Sequence, residues 1–179
     1  MRGRVLVAGV GNIFLGDDGF GVEVARRLAT ADLPDWVRVA DYGISGLHLA
    51  YDLADGYEST ILIDAAPRGG EPGTIYTIEL PPSERRPAAS LAGSQLFNAH
   101  GMQPDVVFGV LDMLGADAGR VLVVGCEPAT VDYGIGLSAP VAAAVSAAVR
   151  VVMELVAAAA DATPAGAHEG QQAVGDGGR

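Results

Sequence analysis

Three short, unbroken apolar runs constrain this 179-residue chain more than any other feature. They are residues 5–8 (VLVA), 61–63 (ILI) and 121–124 (VLVV), each bounded by Gly, Asp or a charged residue. A strand made from such a run has no polar face. It must be covered on both sides, as in a parallel sheet with helices packed above and below. Residues 37–40 (VRVA) are a weaker strand candidate, and residues 74–78 (TIYTI) alternate and are β-branched, as an edge or antiparallel strand would be. Helical periodicity fills the intervals. Residues 19–29 place Val22, Ala25 and Leu28 with Ala29 on one face. Ile44, Leu47, Tyr51 and Ala54 recur at helical spacing up to a stop at Asp55-Gly56. Val106, Val107, Val110, Leu111 and Leu114 repeat the pattern up to Gly115, and a last helix starts near Ser138, with Pro140 in its first turn. The alternation of strand and helix implies a three-layer α/β/α fold with a mostly parallel sheet.

One domain, residues 1–160, fits this length. The Gly/Ala-rich residues 161–179 have no apolar period and are expected to form a disordered tail. Residues 81–94 form a Pro/Ala/Ser-rich connection, and there is no internal repeat. The 11 Lys and Arg stand against 22 Asp and Glu, a net charge of -11, without a dense basic run; nucleic acid is not an expected partner. The N-terminus lacks the long apolar region of a signal peptide. Residues 139–160 approach membrane-spanning length, but Arg150 and Glu154 interrupt them and alanine contributes little to insertion, so a packed helix is expected rather than a membrane span. Cys126 is the single cysteine, which agrees with a reducing, cytoplasmic setting.

In a mostly parallel sheet, ligands bind at the carboxyl ends of the strands. The polar residues that follow the strands here are Asn12, Asp17 and Asp18 after the first, Asp64 after the third, and Glu127 after the last, with Asn98 and His100 just ahead of a helix. The fold thus gathers two or three carboxylates and an imidazole on one rim. Ordinary structural roles account for each alone. Asp17 or Asp18 could cap the helix that follows, Asp64 could be a strand-end turn residue, and His100 a hydrogen-bonded loop histidine. Glycines at 9 and 11 let the backbone turn tightly and approach a ligand.

The run of residues 9–22 (GVGNIFLGDDGFGV) resembles the N-terminal signature of the hydrogenase maturation endopeptidases: Gly-x-Gly-Asn, a few mostly apolar or small residues, Asp, then Glu or Asp, then Gly and a helix. Further matches keep the family's order: Asp64 at the end of a strand, His100 in HGM ahead of an apolar helix, residues 123–128 (VVGCEP), and residues 134–138 (GIGLS) before the final helix. The resemblance spans residues 4 to about 156. It implies a five-stranded twisted sheet between helices, with one antiparallel edge strand. It also implies an endopeptidase that removes the C-terminal peptide of a nickel-iron hydrogenase large subunit once nickel is installed. By motif position the residues that meet the nickel are Asp18, Asp64 and His100, and Asp18 and Asp64 are the candidates for a catalytic role. Asp18 stands where the family often has Glu, one methylene longer. Two carboxylates and an imidazole suit nickel or zinc. The nickel belongs to the substrate and is recognised rather than permanently held; other divalent ions could substitute. The expected partner is the nickel-loaded large-subunit precursor, and a monomer is expected.

Three rivals share these residues. A dinucleotide-binding domain would need a third glycine at position 14, which is Phe14, and would set a pyrophosphate against two carboxylates. A cysteine hydrolase would pair Cys126 with His100, but Glu127 and Pro128 supply no cation to lower the thiol pKa. A metal-dependent binding or chaperone protein for the large subunit would use the same residues without cutting.

Overall fold

The computed structural model of the chain describes residues 3–85 and 104–161, with residues 104–106 described by backbone alone. Strand β1 (Val5–Val10) leads through a short 3-10 turn (Gly16–Gly19) into helix α1 (Phe20–Leu28). Then come β2 (Val37–Gly43), α2 (Gly46–Ala54), β3 (Ser59–Ala65) and β4 (Ile75–Leu80). Helix α3 (Pro104–Leu114), β5 (Arg120–Cys126) and α4 (Ala139–Asp161) complete the order. The five strands form one sheet in the order β2-β1-β3-β5-β4. β1 pairs in parallel with β2 and β3, and β3 with β5, while β4 runs antiparallel along the outer edge of β5.

The three apolar runs lie in the three inner strands. Every residue of β1 is buried, and so is every residue of β5 after Arg120. Alternate side chains enter two separate cores. Val5, Val7, Ile61, Ile63, Leu122 and Val124 pack with α1 and α4, while Leu6, Ala8, Leu62, Val121 and Val123 pack with α2 and α3. The sequence therefore needs helices on both faces, and has them. β4 is only half-buried until Leu80, as expected of an edge. Helix α4 is long and apolar enough to cross a membrane by length and composition. Its buried residues Val141, Ala144, Val145, Ala148, Val152 and Val156 form one stripe against the sheet and α1, the pattern of a packed amphipathic helix.

Helix α2 corrects the periodicity reading. Its buried residues are Gly46, Leu49, Ala50 and Leu53, with Ala54 half-buried against the same core, whereas Leu47, Tyr51 and, just ahead of the helix, Ile44 are exposed. This short helix is apolar on more than one side, so spacing alone does not select the covered face; the route of the chain from β2 to β3 does. The expected tail, residues 161–179, lies outside the described residues beyond Asp161, as does most of the 81–94 connection.

Gly9 works differently from the tight turn expected of it, and Gly21 works with it. Gly9 is inside β1, and a Cβ there would stand 2.3 Å from the Gly21 carbonyl oxygen. A Cβ on Gly21 would stand 2.0 Å from the Ile63 oxygen and 2.3 Å from that of Val10. The two glycines let α1 press its backbone onto β1 and β3. We expect Gly21→Ala to cost about 3 kcal/mol or more, since the Cβ would meet backbone that cannot yield. Gly134→Ala, whose Cβ would meet nothing within 4 Å, should stay within about 0.5 kcal/mol of the parent. Urea unfolding of the two variants beside the parent checks both values.

Candidate functional site

The loop between β1 and α1 is shaped by its own side chains. Asn12 forms an Asx-type turn in which its Oδ1 accepts from the Phe14 N–H at 3.0 Å, and its carbonyl accepts from Leu15 N–H. The Asn12 N–H in turn donates to Asp18 Oδ2 at 2.8 Å, closing the loop on itself. Gly11 makes this closure possible. Its φ is +128°, and a Cβ there would lie 1.8 Å from the Asp18 carbonyl oxygen and 3.7 Å from Asp64 Oδ1. Gly11 thus sits between the backbone that carries Asp18 and the carboxylate of Asp64.

The two candidate acids meet at the carboxyl ends of β1 and β3. Both are partly accessible. Asp64 Oδ1 accepts from the Ala65 N–H at 2.8 Å. Its surroundings push its pKa well above the ordinary carboxylate value, through burial first and then through the negative charge of Asp18; the Ala65 N–H opposes the shift. A divalent cation between the two would relieve both effects at once. His100, the third residue expected at this point, lies outside the described residues, and among the described residues no group of three or more His, Cys, Asp or Glu could hold a metal ion.

The remaining rim acids brace the fold. Asp17 is fully buried. Its carboxylate accepts four hydrogen bonds: Ala129 N–H at 2.8 Å and Thr130 N–H at 3.1 Å to Oδ2, Ser138 N–H at 2.6 Å to Oδ1, and the Ser138 hydroxyl at 2.8 Å to Oδ2. An isolated buried carboxylate would cost several kcal/mol, and four donors to one charge offset that. Asp17 therefore ties the first loop to the segment before α4 rather than capping α1. Backbone bonds reinforce the tie, with Asp17 N–H to Thr130 O, Gly16 N–H to Gly134 O and Gly134 N–H to Phe14 O. Ser138 does precede α4, as the sequence suggests, but its hydroxyl donates to Asp17.

Glu127 plays the same part for the β3–β4 loop. It is buried and accepts from the Arg68 and Gly69 N–H groups and the Tyr76 hydroxyl. Burial pushes its pKa up, but these bonds outweigh burial and hold it below the ordinary range. The Asp17 and Glu127 braces were not legible from spacing, because their partners are backbone groups more than fifty residues away. Cys126 is fully buried in the α1/α4 core, and its thiol is pushed up to about 12 by burial and then by Asp17 and Glu127. A thiol this deeply buried is closed to a peptide bond, and the shift points the same way, so the structure does not support the cysteine-hydrolase reading.

The distinction between bracing and accessible acids is measurable. Asp17→Asn removes the charge and turns an N–H₂ toward at least one donor, so it should cost about 2–4 kcal/mol in urea unfolding. Asp18→Asn, at a partly exposed position, should cost less than about 1 kcal/mol. Equal losses would contradict the separation of roles.

Comparison with known proteins identifies the family. The hydrogenase maturation protease family matches residues 22–155, a span that takes in Asp64 and His100 and starts just past Asp18. The hydrogenase expression/formation protein HupD of Rhizobium leguminosarum is 31% identical over 155 residues, covering 86% of this chain and 74% of that protein. The hydrogenase 2 maturation protease of Escherichia coli is 30% identical over 152 residues, covering 84% and 88% of the two chains. The solved structure of the hydrogenase maturating endopeptidase HybD from E. coli superposes with a TM-score of 0.71 at 28% identity, over 87% of this chain and 93% of that one. With more than half its length matched, and with curated relatives aligned along most of theirs, the chain belongs to the hydrogenase maturation protease family.

Proposed function

We propose that this protein removes the C-terminal peptide of a nickel-iron hydrogenase large subunit after nickel insertion, and that Asp18, Asp64 and His100 recognise the nickel held by that substrate. The observation that carries the reading is the pairing of Asp18 with Asp64 at the carboxyl ends of β1 and β3. The two are partly open to solvent, while the other acids of the rim are buried and fully engaged. Two carboxylates that repel each other in the free protein are poised for a divalent cation, because binding exchanges repulsion for two attractions. Asp64 must give up any proton it holds for that exchange, so nickel recognition should weaken in acid. A precursor without nickel offers nothing to offset the repulsion and is left uncut. The nickel orients the scissile bond beside the two acids, and Asp18 or Asp64 is the protein's candidate for moving the proton.

Asp64→Asn separates this role from a structural one. The folded protein holds the Asp64 proton more tightly than the unfolded chain does. Ionised Asp64 therefore lowers stability, and this loss builds up as pH rises from the ordinary value of 3.8 through the higher folded value. The variant should melt at or above the parent at pH 7, and the two should converge below that ordinary value. Cleavage of nickel-loaded precursor, followed by mass spectrometry, should fall by more than the roughly 10–100-fold typical of changes around a metal site. Nickel-free precursor should stay whole with either protein. A normal rate for the variant would overturn the role of Asp64, and binding of precursor without any mass change would favour a chaperone.

The free protein should also bind zinc, cadmium or nickel weakly, since three protein donors leave the remaining positions to water or substrate. Calorimetry should register a clear loss of affinity in His100→Ala. Unchanged binding would remove His100 from the set.

A further inference from the structure

Three large apolar side chains at and next to the loop that carries Asp18 are exposed: Tyr133 is 94% exposed, Ile135 82% and Phe14 58%. They are close neighbours, because Leu15 and Gly134 form an isolated parallel bridge in which Gly134 donates to the Phe14 carbonyl at 3.0 Å and accepts from Gly16 at 2.9 Å. Phe14 lies in the loop that Asn12 and Asp18 close. On the other side, Ile135 and Leu137 line a groove of about 310 Å³ with Ile13 and Val22 and the charged Glu23, Arg26 and Arg27, between α1 and the start of α4. That volume is at the small end of binding clefts, roughly 300–1,000 Å³. The Asp17 carboxylate ties down the two ends of the segment that carries Tyr133 and Ile135, through residues 129, 130 and 138.

Exposed apolar side chains cost solubility, and rigidly mounted ones lose little further entropy when they are covered. We infer that Phe14, Tyr133 and Ile135 form a preformed docking strip for the precursor segment next to its scissile bond, which continues from the strip into the adjoining groove. The inference rests on the function proposed above and adds specificity residues to it. Phe14 belongs to the loop that carries Asp18, so a segment that covers the strip also runs along that loop. Its extent argues against a second copy of this chain as the occupant. Three side chains that bury at most roughly 200 Å² each fall short of the roughly 800 Å² per partner of a stable dimer. A short extended segment is of the right size.

Steady-state cleavage and direct binding of nickel-loaded precursor by Tyr133→Ala/Ile135→Ala test this. Both side chains are exposed in the free protein, so the thermal melt should not move. The KM should rise about tenfold and binding weaken to match, the usual effect of truncating interface anchors, with kcat altered less than about twofold. Met113→Ala, 87% exposed near the end of α3, where the chain turns to enter β5, is the control and should behave as the parent. Parent-like KM and binding in the double variant, or a loss confined to kcat, would overturn the strip. So would a dimeric parent that the variant converts to monomer, because the strip would then face a second copy. If the parent binds the precursor without cleaving it, the peptidase reading fails while the strip is judged on binding alone. If the parent neither binds nor cleaves, both fail.

Discussion

The buried carboxylate of Asp17 is the interaction on which the functional end of this molecule depends. It joins a loop at the start of the chain to a segment more than a hundred residues later through four hydrogen bonds. Apart from the 3-10 turn at Gly16–Gly19 and one isolated bridge, neither segment has regular structure to hold it. A carboxylate buried at this depth is tolerated while its donors stay in place, so the four bonds support one another and restrain the loop. Asp18 is the next residue, and its position is inherited from this constraint.

A division of labour among acids follows. Asp17 and Glu127 are buried, saturated with donors and turned into the protein, where they fix the two loops that flank the site. Asp18 and Asp64 are only partly open, and burial first, then the charge of Asp18, raises the cost of ionising Asp64. Burial with partners makes a carboxylate structural. Partial exposure beside a like charge makes it receptive to a cation. The same residue type thus serves opposite ends, and sequence position does not tell them apart.

The sheet supplies the rigid base. β1 and β3 are inner strands covered on both faces, and α1 lies against them at backbone distance because Gly9 and Gly21 have no Cβ. The loops that leave their carboxyl ends therefore start from fixed points. The proposed function would draw on this precision, since an acid pair can act on one substrate only from fixed positions.

The sequence by itself determined the strands, the layers and the acids. Unbroken apolar runs have only one economical destination, a sheet covered twice, and the order of runs and helical stretches then gave the mostly parallel topology. The spacing of Gly11, Asp18, Asp64 and His100 was legible because a motif is local. What only the tertiary structure decided was which face of α2 is covered, why Gly9 and Gly21 are glycine, and which acids brace and which stay open. The physical reason is common to all three. Each depends on a neighbour distant in sequence: the α2/α3 side of the sheet, the carbonyl of Ile63, and the backbone N–H groups of residues 129, 130 and 138. Periodicity and spacing record what a segment can do alone, and burial is settled by what arrives from elsewhere.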